Sequence, residues 1–332
     1  MMRIGSLSFY ESSILSMGQQ QADIAKINQK IASGKKMLQP SDAPVAASQA
    51  LRLSDSAAAR SQYVENQLKA ELALKFESVT VAEIRRALTD ARATIVSIVA
   101  NQDQNLLYQA AGQLKAAFDR LYSLANTQDS DGNYIFAGDN AKVQPYVTVV
   151  PTPAAGAAPP PPTPFPASYT QVVKYQGATS GENFIEIEPG HQVQVSDLGP
   201  GVFGNIFETL YNLKQMVDVA GSDPETDPNF AGDVGDAFTL SQADVDTALA
   251  NLDTVLNQVG VVENRIVGAQ LDVGTAQKTT KAYLNLDLDV LSNLNQLDQA
   301  EAIVELQSRQ TALEAAQRAF VRTTGSNLFD YL

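Results

Sequence analysis

From Val45 to about Ala100 the chain runs for more than fifty residues without a single glycine or proline. Every residue in the run is compatible with helix, and one helix of that length would span about 80 Å at 1.5 Å per residue. So long an element predicts a rod and not a globule. It is entered through Pro40-Ser41-Asp42-Ala43-Pro44, where Ser41 or Asp42 is a good helix cap and Pro44 fits the first turn.

Helix is predicted at both chain ends as well. Ile24, Ile27 and Ile31 recur at spacings of three and four, with Ile4, Leu7 and Ile14 on a similar rhythm, and the stripe stops near Gly34. Towards the C-terminus, helical periodicity starts at a capping box, Ser241-Gln242-Ala243-Asp244, and persists almost to the end. Gly260, Gly268 and Gly274 are its weak points. Leu284, Leu288, Leu291, Leu294, Leu297, Ala300, Ile303 and Leu306 step by three or four, and Leu313 and Phe320 continue at sevens, close to a coiled-coil seam. Gly325 is expected to end the helix, leaving Ser326 to Leu332 as an apolar tail.

Between these ends the pattern changes. A corner at Asn101–Asp103 leads into a helix from Gln104 to Asn126, then a turn at Asp129–Asn133 and a short strand at Tyr134–Phe136. Residues 151–166 hold eight prolines in sixteen positions and predict an exposed, partly polyproline loop. Strands are expected at Tyr169–Tyr175, Phe184–Ile187 and Gln192–Val195, with a tight turn at Glu188-Pro189-Gly190-His191. Helix resumes from Ile206 to Val219, followed by an acidic loop, 221–240.

The fold class that follows is mainly α: a long antiparallel helical bundle or coiled-coil rod built from both chain ends, with a small β-rich domain inserted in the middle. Three domains are expected: 1–42 with 288–332 as a terminal coiled-coil assembly domain, 43–137 with 203–287 as a helical rod, and 138–202 as the inserted β-rich unit. Charge favours pairing of the ends. Residues 1–45 carry net +2 and residues 285–332 net −4, though each surface pair adds at most about 1 kcal/mol.

Composition excludes much chemistry. The chain has 332 residues, no cysteine, one histidine (His191) and a net charge of −14. Disulfides, Cys/His zinc sites and paired-histidine catalysis are therefore ruled out, and the acidic balance argues against a nucleic-acid partner. No window of about 18 apolar residues predicts a membrane span. The N-terminus has serines and Glu11 inside its apolar stretch, a poor h-region, so a cleaved signal peptide is not expected. His191 has no Ser or Cys motif around it and reads as a solvated turn residue. The acidic residues Asp218 to Asp236 lack the spacing and terminal glutamate of an EF-hand. No catalytic, cofactor or metal residue is assigned.

The terminal stripes are the candidate site. Two paired helices share one seam, yet Ile14 with Leu15, Val290 with Leu291, Ile303 with Val304 and Phe320 with Val321 would each leave one member poorly covered. An apolar strip of that kind calls for a neighbouring copy or partner. The assembly surface is accordingly assigned to Ile4, Leu7, Ile14, Ile24, Ile27 and Ile31 at one end. At the other it comprises Leu291, Leu294, Leu297, Ile303, Leu306, Leu313, Phe320, Leu328 and Phe329. In the free chain these ends are expected to be largely disordered, because an unpartnered pair buries too little to offset ordering costs of about 1–2 kcal/mol per residue.

Ile27–Lys35 followed by Pro40–Pro44 resembles the N-terminal signature of the bacterial flagellin superfamily. Gln307–Gln317, the ending Asn327-Leu328-Phe329-Asp330-Tyr331-Leu332 and the central Asp131–Gly138 are similar to that superfamily's hook–filament junction members, and Tyr175-Gln176-Gly177 fits their later strands. The resemblance covers about 1–140 and 170–332; loops 151–166 and 221–240 are private insertions. It implies a structural adaptor of the bacterial flagellum, joining the hook, through the other hook-associated junction protein, to the flagellin filament. It further implies packing with its own copies in a ring-like or helical layer. Export through the flagellar secretion channel without a cleaved signal, and an export chaperone at the C-terminal segment, follow as well. The alternatives are a flagellin-type filament subunit and, more distantly, a secreted enzyme on a flagellin-like frame.

Overall fold

A computed structural model of the chain describes residues 3–100, 104–149, 152–153, 169–170, 172–221 and 241–329. It divides into two compact units, Met1–Gln62 with Lys281–Leu332, and Tyr63–Thr280.

The first unit contains α1 (Arg3–Ser33), the start of α2 (Pro44–Ala100), the end of α6 (Gln242–Asn295), and α7 (Gln299–Phe329). Helices α1 and α7 pair antiparallel. Tyr10 meets Phe320 edge-on with ring centroids 5.8 Å apart, Arg309 Nη1 donates to Asp23 Oδ2 at 3.1 Å, and Lys35 bridges Gln296. Along the seam the less exposed positions are Tyr10, Ser13, Met17, Gln20, Ile24, Ile27 and Ile31 on α1 with Gly34 just past its end, and Ala302, Leu306, Arg309, Leu313, Ala316 and Phe320 on α7, while Asp23 and Lys30 are half-covered beside it. Both sets alternate threes and fours, the spacing of a coiled-coil seam.

The chain leaves α1 through Gly34, whose φ of +66° is a left-handed conformation that favours glycine. The Gly34 carbonyl accepts from Leu297 N–H at 3.0 Å, and Lys36 N–H donates to Asn295 O at 2.7 Å, tying this turn to the α6–α7 junction. Asp42 does not cap α2. Its carboxylate turns back, accepting from Lys26 Nζ at 2.6 Å and from the Leu38 and Gln39 N–H groups at 3.0 and 3.2 Å. Ser41 lies beside it in the 3₁₀ turn Pro40–Asp42.

Helix does not persist unbroken to the C-terminus. It stops at Gln296–Asp298, where Asp298 Oδ1 accepts from Ala300 and Glu301 N–H and so starts α7 afresh. The leucine steps run through this break and conceal it. Gly325 ends nothing, because α7 reaches Phe329; nor do Gly260, Gly268 and Gly274 interrupt α6.

The second unit holds the core. Fully buried Leu74, Ile84, Leu88 and Ile95 come from α2, and Leu114 and Leu121 from α3 (Gln104–Ala125). Phe203 comes from α4 (Gly199–Phe203), Ile206 and Leu210 from α5 (Ile206–Gly221), and Leu252 and Val259 from α6. At one end the rings of Phe136, Tyr146, Phe203 and Phe207 interlock, Phe136 edge-on to Phe203 at 5.3 Å and Tyr146 on Phe207 at 5.3 Å.

Tyr134–Phe136 is not a strand. Tyr134 forms a single bridge to Gln128, Phe136 is claimed by the aromatic core, and the chain turns at Gly138, where φ is +61° and a Cβ would meet Leu198 at 2.6 Å. Among the described residues, strands form three antiparallel pairs: β1 (Tyr146–Thr148) with β4 (Val173–Tyr175), β2 (Thr152–Pro153) with β3 (Tyr169–Thr170), and β5 (Phe184–Glu188) with β6 (His191–Gln194). The last pair closes through Pro189-Gly190, as the turn signal predicts. Most of the proline-rich and acidic loops, 154–168 and 222–240, lies outside the described residues.

Candidate assembly surface

Ile24, Ile27 and Ile31 of α1, and Leu306, Leu313 and Phe320 of α7, lie along the seam that the two chain ends share. Leu297 sits half-buried in the α6–α7 break, and Leu291 and Leu294 half-buried on the last turns of α6. Ile14 and Ile303 stay exposed. Ile4, Leu7, Leu328 and Phe329 belong to α1 and α7, with side chains outside the described residues.

At two of the four pairs the seam leaves both members open. Ile14 and Leu15 are both exposed, as are Ile303 and Val304, with Leu15 at 73% and Val304 at 65%. Val321 is open while Phe320 is covered, and Val290 and Leu291 are both half-covered. A two-helix seam follows one line along each helix, so apolar residues off that line meet water. Among the described residues of α1 and α7, only Ile27 and Ala302 are fully buried hydrophobics.

Sequence reasoning missed a second feature of this unit. Met37, Leu38, Pro40, Ala47, Leu51 and Leu291 line an apolar groove of about 630 Å³ beside the α1–α2 turn. Its signal in the sequence was the pairing of Met37-Leu38 with Leu51, residues that no helical stripe of α1 or α7 includes. Asp42, near it, is held well down at about 2, first by the Lys26 hydrogen bond and then by the Leu38 N–H.

One cluster of titratable groups in the second unit, Glu77, Asp197 and Arg265, points inward. Buried Glu77 accepts from Arg265 Nη2 at 2.6 Å and from Asp197 N–H at 2.8 Å, while Arg265 also donates to Asp197 Oδ2 at 2.8 Å and to the Gln194 carbonyl at 2.9 Å. Burial pushes the Glu77 carboxyl up to about 8, Arg265 opposing and Asp197 adding to the shift. All these partners are internal, and together they fasten the β5–β6 hairpin to α2 and α6. Gln67 does the same, donating to Ile187 O at 2.7 Å and to Thr280 Oγ1 at 2.9 Å. His191 is not in the turn but opens β6, half-exposed, with its Nδ1 3.8 Å from Glu188 Oε2. Among the described residues no helix is long and apolar enough to cross a membrane, and no cluster of three acidic or histidine side chains could hold a metal.

Residues 6–141, which take in α1, α2, α3 and the Gly138 turn, match the bacterial flagellin N-terminal helical region. Over that stretch the chain is similar to flagellins. Along nearly its whole length it resembles flagellar hook-associated protein 3 of Escherichia coli strain K12, at 27% identity over 339 residues and 99% of each chain. The fold is that of a flagellar hook-associated protein-3 from Legionella pneumophila, with a TM-score of 0.57 at 15% identity over 73% of this chain and 98% of that one. A flagellar junction protein from Legionella pneumophila superposes with a TM-score of 0.54 at 14% identity, over 74% and 99% respectively.

Proposed function

We propose that this chain is a structural adaptor of the bacterial flagellum that joins the hook to the flagellin filament and has no catalytic activity. One observation carries the reading: in a chain resembling hook-associated protein 3 from end to end, Ile14, Leu15, Ile303, Val304 and Val321 lie off the seam that α1 and α7 share among the described residues. Such surfaces are covered by neighbours. Copies pack in a ring-like or helical layer, with the other hook-associated junction protein on one side and flagellin on the other. The terminal helices 1–42 and 288–332 form the assembly domain, residues 43–137 with 203–287 the rod, and 138–202 the outer ornament. The chain reaches the extracellular flagellum without a cleaved signal, its C-terminal segment held by an export chaperone beforehand.

The match of residues 6–141 to the flagellin N-terminal region favours one competing reading, a filament subunit. Electron microscopy of the purified chain in sulfate separates the two, since excluded sulfate strengthens apolar burial. Monomers or short aggregates are expected of an adaptor, which stops until a different partner arrives. Long uniform filaments would make the chain a filament subunit.

A further inference from the structure

The groove beside the α1–α2 turn and the uncovered face of α7 are complementary. Met37, Leu38, Pro40, Ala47, Leu51 and Leu291 give the groove an apolar floor, with Leu51 64% exposed. Lys35 and Lys36 stand at its end, where Lys36 N–H holds the carbonyl of Asn295, a lining residue. Both side chains are exposed, and neither has an ion-pair partner among the described residues. The one carboxylate of this turn, Asp42, is committed to Lys26 and two backbone N–H groups. The groove therefore presents an apolar trough with uncompensated positive charge at its rim.

The first two turns of α7 carry the opposite pattern. Ile303 (45% exposed) and Val304 form a short apolar ridge flanked by exposed Glu301 and Glu305. Glu305 reaches only Arg309, at 3.5 Å on an open surface, an arrangement that contributes little. Ridge and trough lie on different patches of one chain, so matching them between copies is a head-to-tail contact. Contacts of that type close into rings or run on as helices, whereas a patch that meets itself stops at a dimer.

We propose that the Met37–Leu51 groove receives the Ile303–Val304 ridge of a second copy of this chain, Lys35 and Lys36 facing its Glu301 and Glu305. The proposal rests on the assembly reading above and names its self-contact. Apolar burial supplies affinity, and the charges set direction and reject the reversed pairing.

The chain has no cysteine, so introduced thiols report unambiguously. Leu51→Cys and Val304→Cys variants of the full chain are expressed together, and flagella are collected and oxidised. A cross-linked dimer is expected with both variants present, and at least tenfold less with either alone. Homodimers of Val304→Cys alone would overturn the proposal, because the ridge would then meet itself. Incorporation of both variants without any cross-link would overturn it and leave the assembly reading standing. Failure of the wild-type chain to enter flagella would remove that reading and this proposal with it.

The charge arm is independent of the thiols. Lys35→Glu/Lys36→Glu should abolish incorporation, and mixing with Glu301→Lys/Glu305→Lys should restore it. Equal incorporation of the charge-reversed chain alone, or capture of a different flagellar protein at Leu51→Cys with no copy bound there, would overturn the proposal.

Discussion

The two units of this chain solve the same problem to different degrees. In Tyr63–Thr280, helices α2, α3, α5 and α6 surround a continuous core whose aromatic end is closed by Phe136, Tyr146, Phe203 and Phe207. Its buried charges are paired inside the unit. In the terminal pair, one heptad seam covers a single line of each helix and leaves Ile14, Leu15, Ile303, Val304 and Val321 in water. The second unit also exposes apolar side chains, among them Tyr108, Val261 and Leu271, but over a core of fully buried residues, whereas the described hydrophobics of α1 and α7 bury only Ile27 and Ala302.

The sharpest way to break that comparison is to damage the finished core. Phe203→Ala or Leu74→Ala should cost about 3–5 kcal/mol by cavity formation and lower the main unfolding transition by calorimetry. A loss under about 1 kcal/mol would show that the core is not the source of stability. Arg265→Met should cost a similar amount, about 3–5 kcal/mol, because it leaves the Asp197 carboxylate without its cation and the buried Glu77 carboxyl without its guanidinium donor. Adding Glu77→Leu should return much of the loss, and denaturant titration of the single and double variants measures both.

The two units should also answer pH with opposite signs. Glu77 is raised to about 8, so the folded state binds more protons there than the unfolded chain. Its contribution is full below the ordinary carboxylate value of 4.5 and is lost as pH rises towards 8. Asp42 is lowered to about 2, so its contribution is present above the usual value of 3.8 and is lost as pH falls through 2. Hydrogen exchange at pH 3, 6 and 8.5 should show the β5–β6 hairpin loosening at the alkaline end and the Leu38–Asp42 turn at the acid end. Glu77→Gln should flatten the first slope and Asp42→Asn the second.

The smallest effects on the free chain belong to the open face. Val304→Asp should change its stability by under about 0.5 kcal/mol yet prevent incorporation into flagella. Leu313→Asp or Phe320→Asp should also block incorporation, by preventing the α1–α7 seam from forming in the assembly, while the helical content of the second unit stays intact by circular dichroism. Normal incorporation of both variants would show that the interface lies elsewhere.

Much of this architecture was legible because long helices leave few alternatives. The run from Val45 to Ala100 lacks any breaker, and the stripe at Ile24, Ile27 and Ile31 can face only one way. The β5–β6 hairpin was announced by Pro189-Gly190. What periodicity hid was interruption without a change of rhythm: the leucine steps pass through Gln296–Asp298, and only Asp298 followed by Glu301 betrays a new helix start. Tyr134–Phe136 has strand composition, but tertiary burial of Phe136 overrides it. For the site, the apolar residues were visible and their division was not. Seam and open face separate only once the partner helix is known, and the groove joins residues of three different segments.

Hydrogen exchange on the full chain, free and in assembled flagella, tests the central claim most directly. The stretches of α2, α3 and α6 within the second unit should be protected in both states. The amides of α1 and α7 should exchange within seconds in the free chain and become protected by at least a hundredfold on assembly. Protection of α1 and α7 in the free chain equal to that of α2 would mean that the terminal pair is complete by itself, and the account would be wrong.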